Sequence, residues 1–127
     1  MIGKVSNIAV SGMQAATRRL ENSSQNIANI STTGAKPGEA FRPQRVAQVA
    51  AEGGGVATNL RAIDPASFKA YDPTAPAAAE DGTVEYPNVN LEEEVVNLHM
   101  ATYDFKANLK SLKAEDEMTK ELLDIIA

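Results

Sequence analysis

Apolar and small residues recur at alternating steps of three and four along the first thirty positions. Ile2, Ala9, Ala16, Ser23 and Ile30 form one column; Met13, Leu20 and Ile27 form the other. This spacing predicts a narrow stripe on one long helix. Many of these positions are Ala or Ser, which bury little surface but allow another helix to come close. Residues 91–127 repeat the pattern more strongly, with Leu91, Leu98, Phe105, Leu112 and Ile126 in one column and Val95, Leu109 and Leu123 in the other. Thr102, Asp116 and Thr119 interrupt it, and Met118 and Leu122 stand beside the gap. The start of this helix is well marked. Asn90 can cap it, with Glu93 as capping-box partner three residues on. Glu92, Glu93 and Glu94 sit where the helix dipole favours negative charge. Pro87 lies just upstream, in chain that is not yet helical.

Between the two patterns, residues 35–90 hold all six prolines and most of the glycines. Ala47–Val49, Val56–Ile63, Phe68–Tyr71 and Thr83–Tyr86 are short runs with β-branched or aromatic residues between turn signals. They predict one or two small β-hairpins within irregular loops. Gly53-Gly54-Gly55 is the expected hairpin tip and Ala75–Asp81 a flexible crossing. The expected fold is mainly α: long N- and C-terminal helices form a coiled-coil-like pair, with a small β-rich or irregular middle lobe. Residues 1–34 supply the N-terminal helix and its loop, 35–90 the middle segment, and 91–127 the C-terminal helix. The two terminal segments pack as one discontinuous domain.

Length makes this fold unusual. A helix over residues 91–126 spans about 54 Å at 1.5 Å per residue. A compact globule of this chain length has a diameter of roughly 36 Å. The helix therefore outruns its own domain, and the small residues of the N-terminal stripe cover little of it. Partner chains are implied.

Charge sharpens that expectation. The chain of 127 residues carries a formal net charge of −5, which argues against a general phosphate-binding surface. Residues 1–34 are net positive, with Lys4, Arg18 and Arg19 against Glu21, while residues 91–127 set four lysines against nine acids. Ends of opposite sign are suited to lie against each other, within one chain or between chains. No segment approaches the roughly 20 apolar residues that span a bilayer, and no cleaved secretory signal is expected at the N-terminus.

The chemistry of a catalyst is missing. There is no cysteine, hence no disulfide framework or Cys-based metal site. His99 is the only histidine, and its helical neighbours Val95, Val96, Thr102 and Tyr103 are not strong ligands. Glu92-Glu93-Glu94 and Glu115-Asp116-Glu117 are consecutive helical residues that point in different directions, as a cap and a solvated face do. Gly53-Gly54-Gly55 lacks the Lys and Ser/Thr of a phosphate loop. No catalytic residue, metal site, cofactor, small-molecule substrate or nucleic-acid partner is expected.

Ser11-Gly12-Met13-Gln14-Ala15-Ala16, Arg19-Leu20 and Asn26-Ile27-Ala28-Asn29 followed by Thr33-Gly34 resemble the N-terminal signature of the bacterial flagellar rod and hook axial proteins. Tyr86-Pro87-Asn88-Val89-Asn90-Leu91-Glu92-Glu93-Glu94 and Ala107-Asn108-Leu109 resemble its C-terminal signature. The two blocks cover about half of the chain. The short middle segment resembles the small proximal-rod subunits rather than the distal-rod or hook ones. Pro87-Asn88-Val89 and the Tyr71-Asp72-Pro73 turn look like one of the two small types; the other tends to have Gly-Asn-Thr-Val. The resemblance implies a structural subunit of the basal-body rod that assembles with itself and other rod proteins and transmits torque from membrane ring to hook. It also implies export by the flagellar type III apparatus without a cleaved signal, and assembly in the periplasm without membrane insertion. Two places depart from the family pattern. Tyr103 and Phe105 stand where Arg-x-Tyr is common, removing two polar contacts, and Thr17 replaces a common Gln.

Asn26 and Asn29 flank Ile27 one turn apart. Asn both donates and accepts, so the pair is suited to fix register where helices of several subunits meet. Gly34 is expected to let the chain leave the helix through backbone angles that other residues resist. The expected subunit interface comprises Met13, Leu20, Asn26, Ile27, Asn29, Val95, Leu98, Phe105, Asn108, Leu109, Leu112 and Leu123. A free-standing helical-hairpin adaptor or export chaperone is the rival reading, and requires helices that are stable alone.

Overall fold

The computed structural model describes residues 2–127, the side chain of Ile2 excepted, so the expected packing of Ile2 at the head of the first column falls outside what is described. The order is α1 (Ile2–Ala28), β1 (Gln44–Ala50), β2 (Val56–Ala62), β3 (Ser67–Tyr71), β4 (Thr83–Pro87) and α2 (Leu91–Ile126). All four expected short runs form strands, paired as two antiparallel hairpins, β1–β2 and β3–β4. Gly53, Gly54 and Gly55 make the tip of the first, each with positive φ, the region open to glycine. Asn90 Oδ1 accepts from Glu93 N at 3.1 Å and starts α2.

The helices lie antiparallel along each other. Ser6 meets Glu115, Gly12 meets Asn108, Arg19 pairs with Asp104 and Asn26 meets Glu94, so numbers rise on α1 as they fall on α2. One column of each expected stripe lies in this seam: Ala9, Ala16 and Ser23 are buried on α1, and Leu98, Phe105 and Leu112 half-buried on α2. The second columns differ from expectation by one position. The seam is completed by Gly12, Arg19 and Asn26, and by Glu94, Ala101, Asn108 and Glu115, rather than by Met13, Leu20 and Ile27 or by Val95, Leu109 and Leu123. The reason is steric. A Cβ on Gly12 would sit 2.6 Å from Asn108 Oδ1, so the Asn108 side chain packs directly on the α1 backbone, where a larger residue would displace it.

The first hairpin lies along α1. Asn22 and Asn26 both donate to the Gln44 carbonyl, each at 2.7 Å, and Val56 N donates to Ser11 Oγ at 3.1 Å. The second hairpin is tied to the loop after α1 by a two-way backbone bridge between Gly34 and Glu85, at 3.0 and 2.8 Å. Gly34 has no positive φ. Helix α1 ends earlier, at Ala28, and Gly34 is required for space, since a Cβ there would lie 2.5 Å from that of Glu39.

The crossing between β3 and β4 is held by matching turns at its two ends. Asp72 accepts from Thr74 N and Oγ1 at 3.1 and 2.7 Å, and Asp81 from Thr83 N and Oγ1 at 3.0 and 2.6 Å. These bonds, from the threonines above all, hold both carboxyls below the ordinary value of 3.8. Tyr86 donates to Asp72 Oδ2 at 3.2 Å, and that bond raises the phenol.

Two predictions follow from these contacts. Gly12→Ala should gain about 1 kcal/mol of helix propensity but lose about 1–3 kcal/mol to overpacking against Asn108. Gly12→Ala/Asn108→Ala should therefore be more stable than Gly12→Ala alone, read from urea unfolding midpoints. The depressed Asp72 and Asp81 groups favour the folded crossing above pH 3.8, and that contribution is lost as pH falls through their folded values. Amide exchange at Thr74 and Thr83 should accelerate in that acid window, and Asp81→Asn should flatten the response at Thr83.

Candidate assembly interface

Asn26 is 1% exposed, and its side chain is spent inside the chain. Nδ2 donates to the Gln44 carbonyl at 2.7 Å and to Glu94 Oε1 at 2.9 Å, while Oδ1 accepts from Gln44 N at 3.3 Å. One amide thus joins α1, the first hairpin and α2. Asn29 acts locally: Nδ2 donates to the Gln25 carbonyl at 2.9 Å and Oδ1 accepts from Thr32 Oγ1 at 3.2 Å, closing the end of α1. Asn108 is half-buried, fills the space over Gly12, and donates to the Asp104 carbonyl at 2.9 Å.

The signature positions of the two chain ends therefore meet one another. Gly12 touches Asn108 and Asn26 bonds Glu94 across the helix pair; Gly34 pairs with Glu85, two residues before Pro87. Pro87 is fully buried, and Asn88 Nδ2 donates to the Pro65 carbonyl at 2.9 Å. Ser11 bonds the hairpin through Val56 N, Val89 N donates to the Pro87 carbonyl, and Ala28 and Ala107 are exposed while Thr33 is half-buried.

Two carboxylates lie in the seam with no cation paired to them among the described residues. Among the described residues Glu94 has only Asn26 and Glu115 only Ser6, at 2.9 and 2.6 Å, and Glu94 Oε2 and Glu115 Oε1 have no partner. Sequence reasoning missed Ser6, Gln44 and Glu115. The signal for Glu115 was its place at seven-residue spacing from Glu94, Ala101 and Asn108, which apolar scoring passes over.

The large aliphatics stand mostly at the seam's margins. Leu20 is 38% exposed, Val95 40% and Leu123 61%; Met13, Ile27, Leu98, Phe105, Leu109 and Leu112 are half-buried. Val96, Met100 and Tyr103 add further exposed apolar surface on α2. A polar hollow of about 360 Å³ opens between α1, β1 and α2, lined by Arg19, Asn22, Arg45, Asn88 and Glu94 among others. His99 Nδ1 lies 3.1 Å from the Val95 carbonyl on an exposed face. Among the described residues no His/Cys/Asp/Glu grouping is suited to a metal, and no helix is long and apolar enough to cross a membrane.

Asn26→Ala should cost about 2–3 kcal/mol, because Gln44 and Glu94 lose buried partners. Glu94→Gln should cost less than about 1 kcal/mol or stabilise, since it removes a buried charge with one unpartnered oxygen. Urea midpoints of the two variants check the order.

The comparisons with known proteins cover both chain ends. Residues 7–36 match the family model for the flagella basal body rod protein, and residues 80–125 the model for the flagellar basal body rod FlgEFG protein C-terminal region. The flagellar basal-body rod protein FlgC of Agrobacterium fabrum is 30% identical over 98% of this chain and 95% of its own. That of Bacillus subtilis is 30% identical over 94% of each chain, and that of Buchnera aphidicola 34% identical over 94% of this chain and 93% of its own. These relatives are rod proteins of a structural family and not enzymes. The chain belongs to the FlgC-type family of flagellar basal-body rod proteins.

Proposed function

We propose that the chain is a subunit of the proximal rod, assembling with copies of itself and with other rod proteins into the shaft that carries torque from membrane ring to hook. The observation that carries this reading is the narrow seam. Helix α1 meets α2 mainly through Gly, Ala, Ser and Asn, α2 contributes half-buried Leu98, Phe105 and Leu112, and Leu20, Val95 and Leu123 stay at the margins. Exposed apolar side chains spread along two long helices suit multi-chain contact. In the assembled rod, residues 1–34 and 91–127 act as one coiled-coil-like packing unit, and residues 35–90 form the lobe beside it. Met13, Ile27, Leu98, Phe105, Leu109 and Leu112, half-buried in one chain, complete their burial against neighbours. Asn26, Asn29 and Asn108 support that surface from within by holding the helices in register.

The chain reaches the rod unfolded, through the flagellar type III apparatus, and folds in the periplasm. A seam poor in large side chains suits that route, because a weakly buried pair opens readily. Rigidity then comes from close packing between subunits.

Val95→Glu and Leu123→Glu test the reading. Both positions are exposed in the single chain, so the unfolding free energy should change by no more than about 0.5 kcal/mol. Swimming and recovery of the chain in isolated basal bodies should nevertheless be lost. Normal motility with both variants would remove the interface. Strong amide protection of both helices in a dilute monomer would favour the adaptor.

A further inference from the structure

The seam of α2 continues beyond α1. Glu94, Leu98, Ala101, Phe105, Asn108, Leu112, Glu115 and Thr119 are buried or half-buried, and the same alternation reaches Leu122 and Ile126. There exposure rises abruptly: Leu122 is 50% and Ile126 81% exposed. Ser6 already stands opposite Glu115, so the last two turns of α2 have no described residue of α1 beside them.

This overhang carries two adjacent stripes. Met118, Leu122 and Ile125 follow one another at helical spacing, all exposed, and Glu117, Glu121 and Asp124 run beside them one position earlier. It is an apolar ridge with an acidic edge.

A groove of the complementary character runs along the helix pair. Adjoining hollows share Leu20, Thr102 and Lys106 at one junction and Thr17 and Phe105 at the next. The central one, about 240 Å³, has Ala16, Leu20, Ala101 and Phe105 as its floor and Lys106 at its edge. Arg18 stands at the edge of the adjoining hollow, where Glu21 is the sole acid. From Leu98 to Leu112 the groove extends about 21 Å, against about 12 Å for Met118 to Ile126, so the ridge fits within it.

We propose that the α2 overhang of one copy docks in the Ala16–Leu20–Ala101–Phe105 groove of the next copy, its acidic edge against Lys106 and Arg18. The inference rests on the rod reading and names the contact that makes it directional. The two surfaces are different, so the contact is heterologous and generates an open helical array rather than a closed dimer. Both the charge pattern and the apolar match belong to this chain, which points to a second copy as occupant.

The absence of cysteine permits a direct test. Within one chain, Leu20 stands beside Ala101, so Leu122 is about 30 Å away along α2, far beyond the roughly 7 Å that a disulfide tolerates. Full-length chain carrying Leu20→Cys and Leu122→Cys replaces the native copy in its own bacterium. Basal bodies are isolated, oxidised and resolved without reductant. A ladder at multiples of the single-chain mass is expected, absent from either single variant. Basal bodies that contain the chain but yield no ladder, or a band joining it to a different protein, overturn the docking and leave the rod reading intact. A native chain missing from basal bodies overturns both. Should the double variant fail to assemble, Glu121→Lys is expected to lower incorporation about tenfold and Lys106→Glu in the same chain to restore it. Failure of that rescue also overturns the docking.

Discussion

Everything else in this molecule depends on how closely two long helices approach each other. Gly12 leaves no room for a Cβ under Asn108, and Ala9, Ala16, Ser23 and Ala101 keep the backbones close along the rest of the seam. Small residues bury little apolar area, so the hydrophobic return per turn is low. In exchange the contact is narrow: Leu98, Phe105 and Leu112 of α2 enter it half-buried, while Leu20, Val95 and Leu123 stand at its margins. A pair built this way is poorly stabilised alone and well supplied with surface for neighbours. That combination suits a subunit of a multi-chain assembly.

Polar residues set the register that a smooth alanine seam would leave loose. Asn26 with Glu94 closes the seam near one end, Ser6 with Glu115 near the other. The two clamps are 21 positions apart on α2, about 31 Å along the helix. A slip of one turn would break both and bury a carboxylate against alkyl surface, which is strongly unfavourable. Arg19 and Asp104 add an ion pair between them, where the opposite charges of the two chain ends meet. That pair is partly exposed, so it contributes less to stability than to alignment.

The same asparagine also orients the lobe. Gln44 opens β1, and both its backbone groups are taken up by Asn26, with Asn22 adding a second donor to the carbonyl. The hairpin is thereby fixed to α1 at its base, while Ser11 holds Val56 near its tip. The second hairpin is attached through Gly34 and Glu85 instead, and Glu85 in turn accepts from Ser67 Oγ at 2.8 Å. Helix pair and lobe are therefore one connected structure, and load on one is transmitted to the other through backbone-directed hydrogen bonds.

The helices, their boundaries within a few residues, the four strands, the Gly53–Gly55 tip and the Asn90 cap were all legible in the sequence. Each rests on local chemistry: three–four spacing, β-branched runs between turn residues, and a cap with its acidic first turn. One column of each stripe was legible for the same reason. The partner columns were not. Apolar scoring selects Leu20, Ile27, Val95 and Leu123, whereas the seam closes one position away, on Gly12, Asn26, Glu94 and Glu115. Which face closes is settled by which side chains of one helix fit on the small residues of the other, as Asn108 does on Gly12, a property of both helices together. Asn26 shows the same division. Its spacing marked it as exceptional, but only the tertiary structure brings Gln44 and Glu94 within bonding distance and turns a suspected contact between chains into the joint within one.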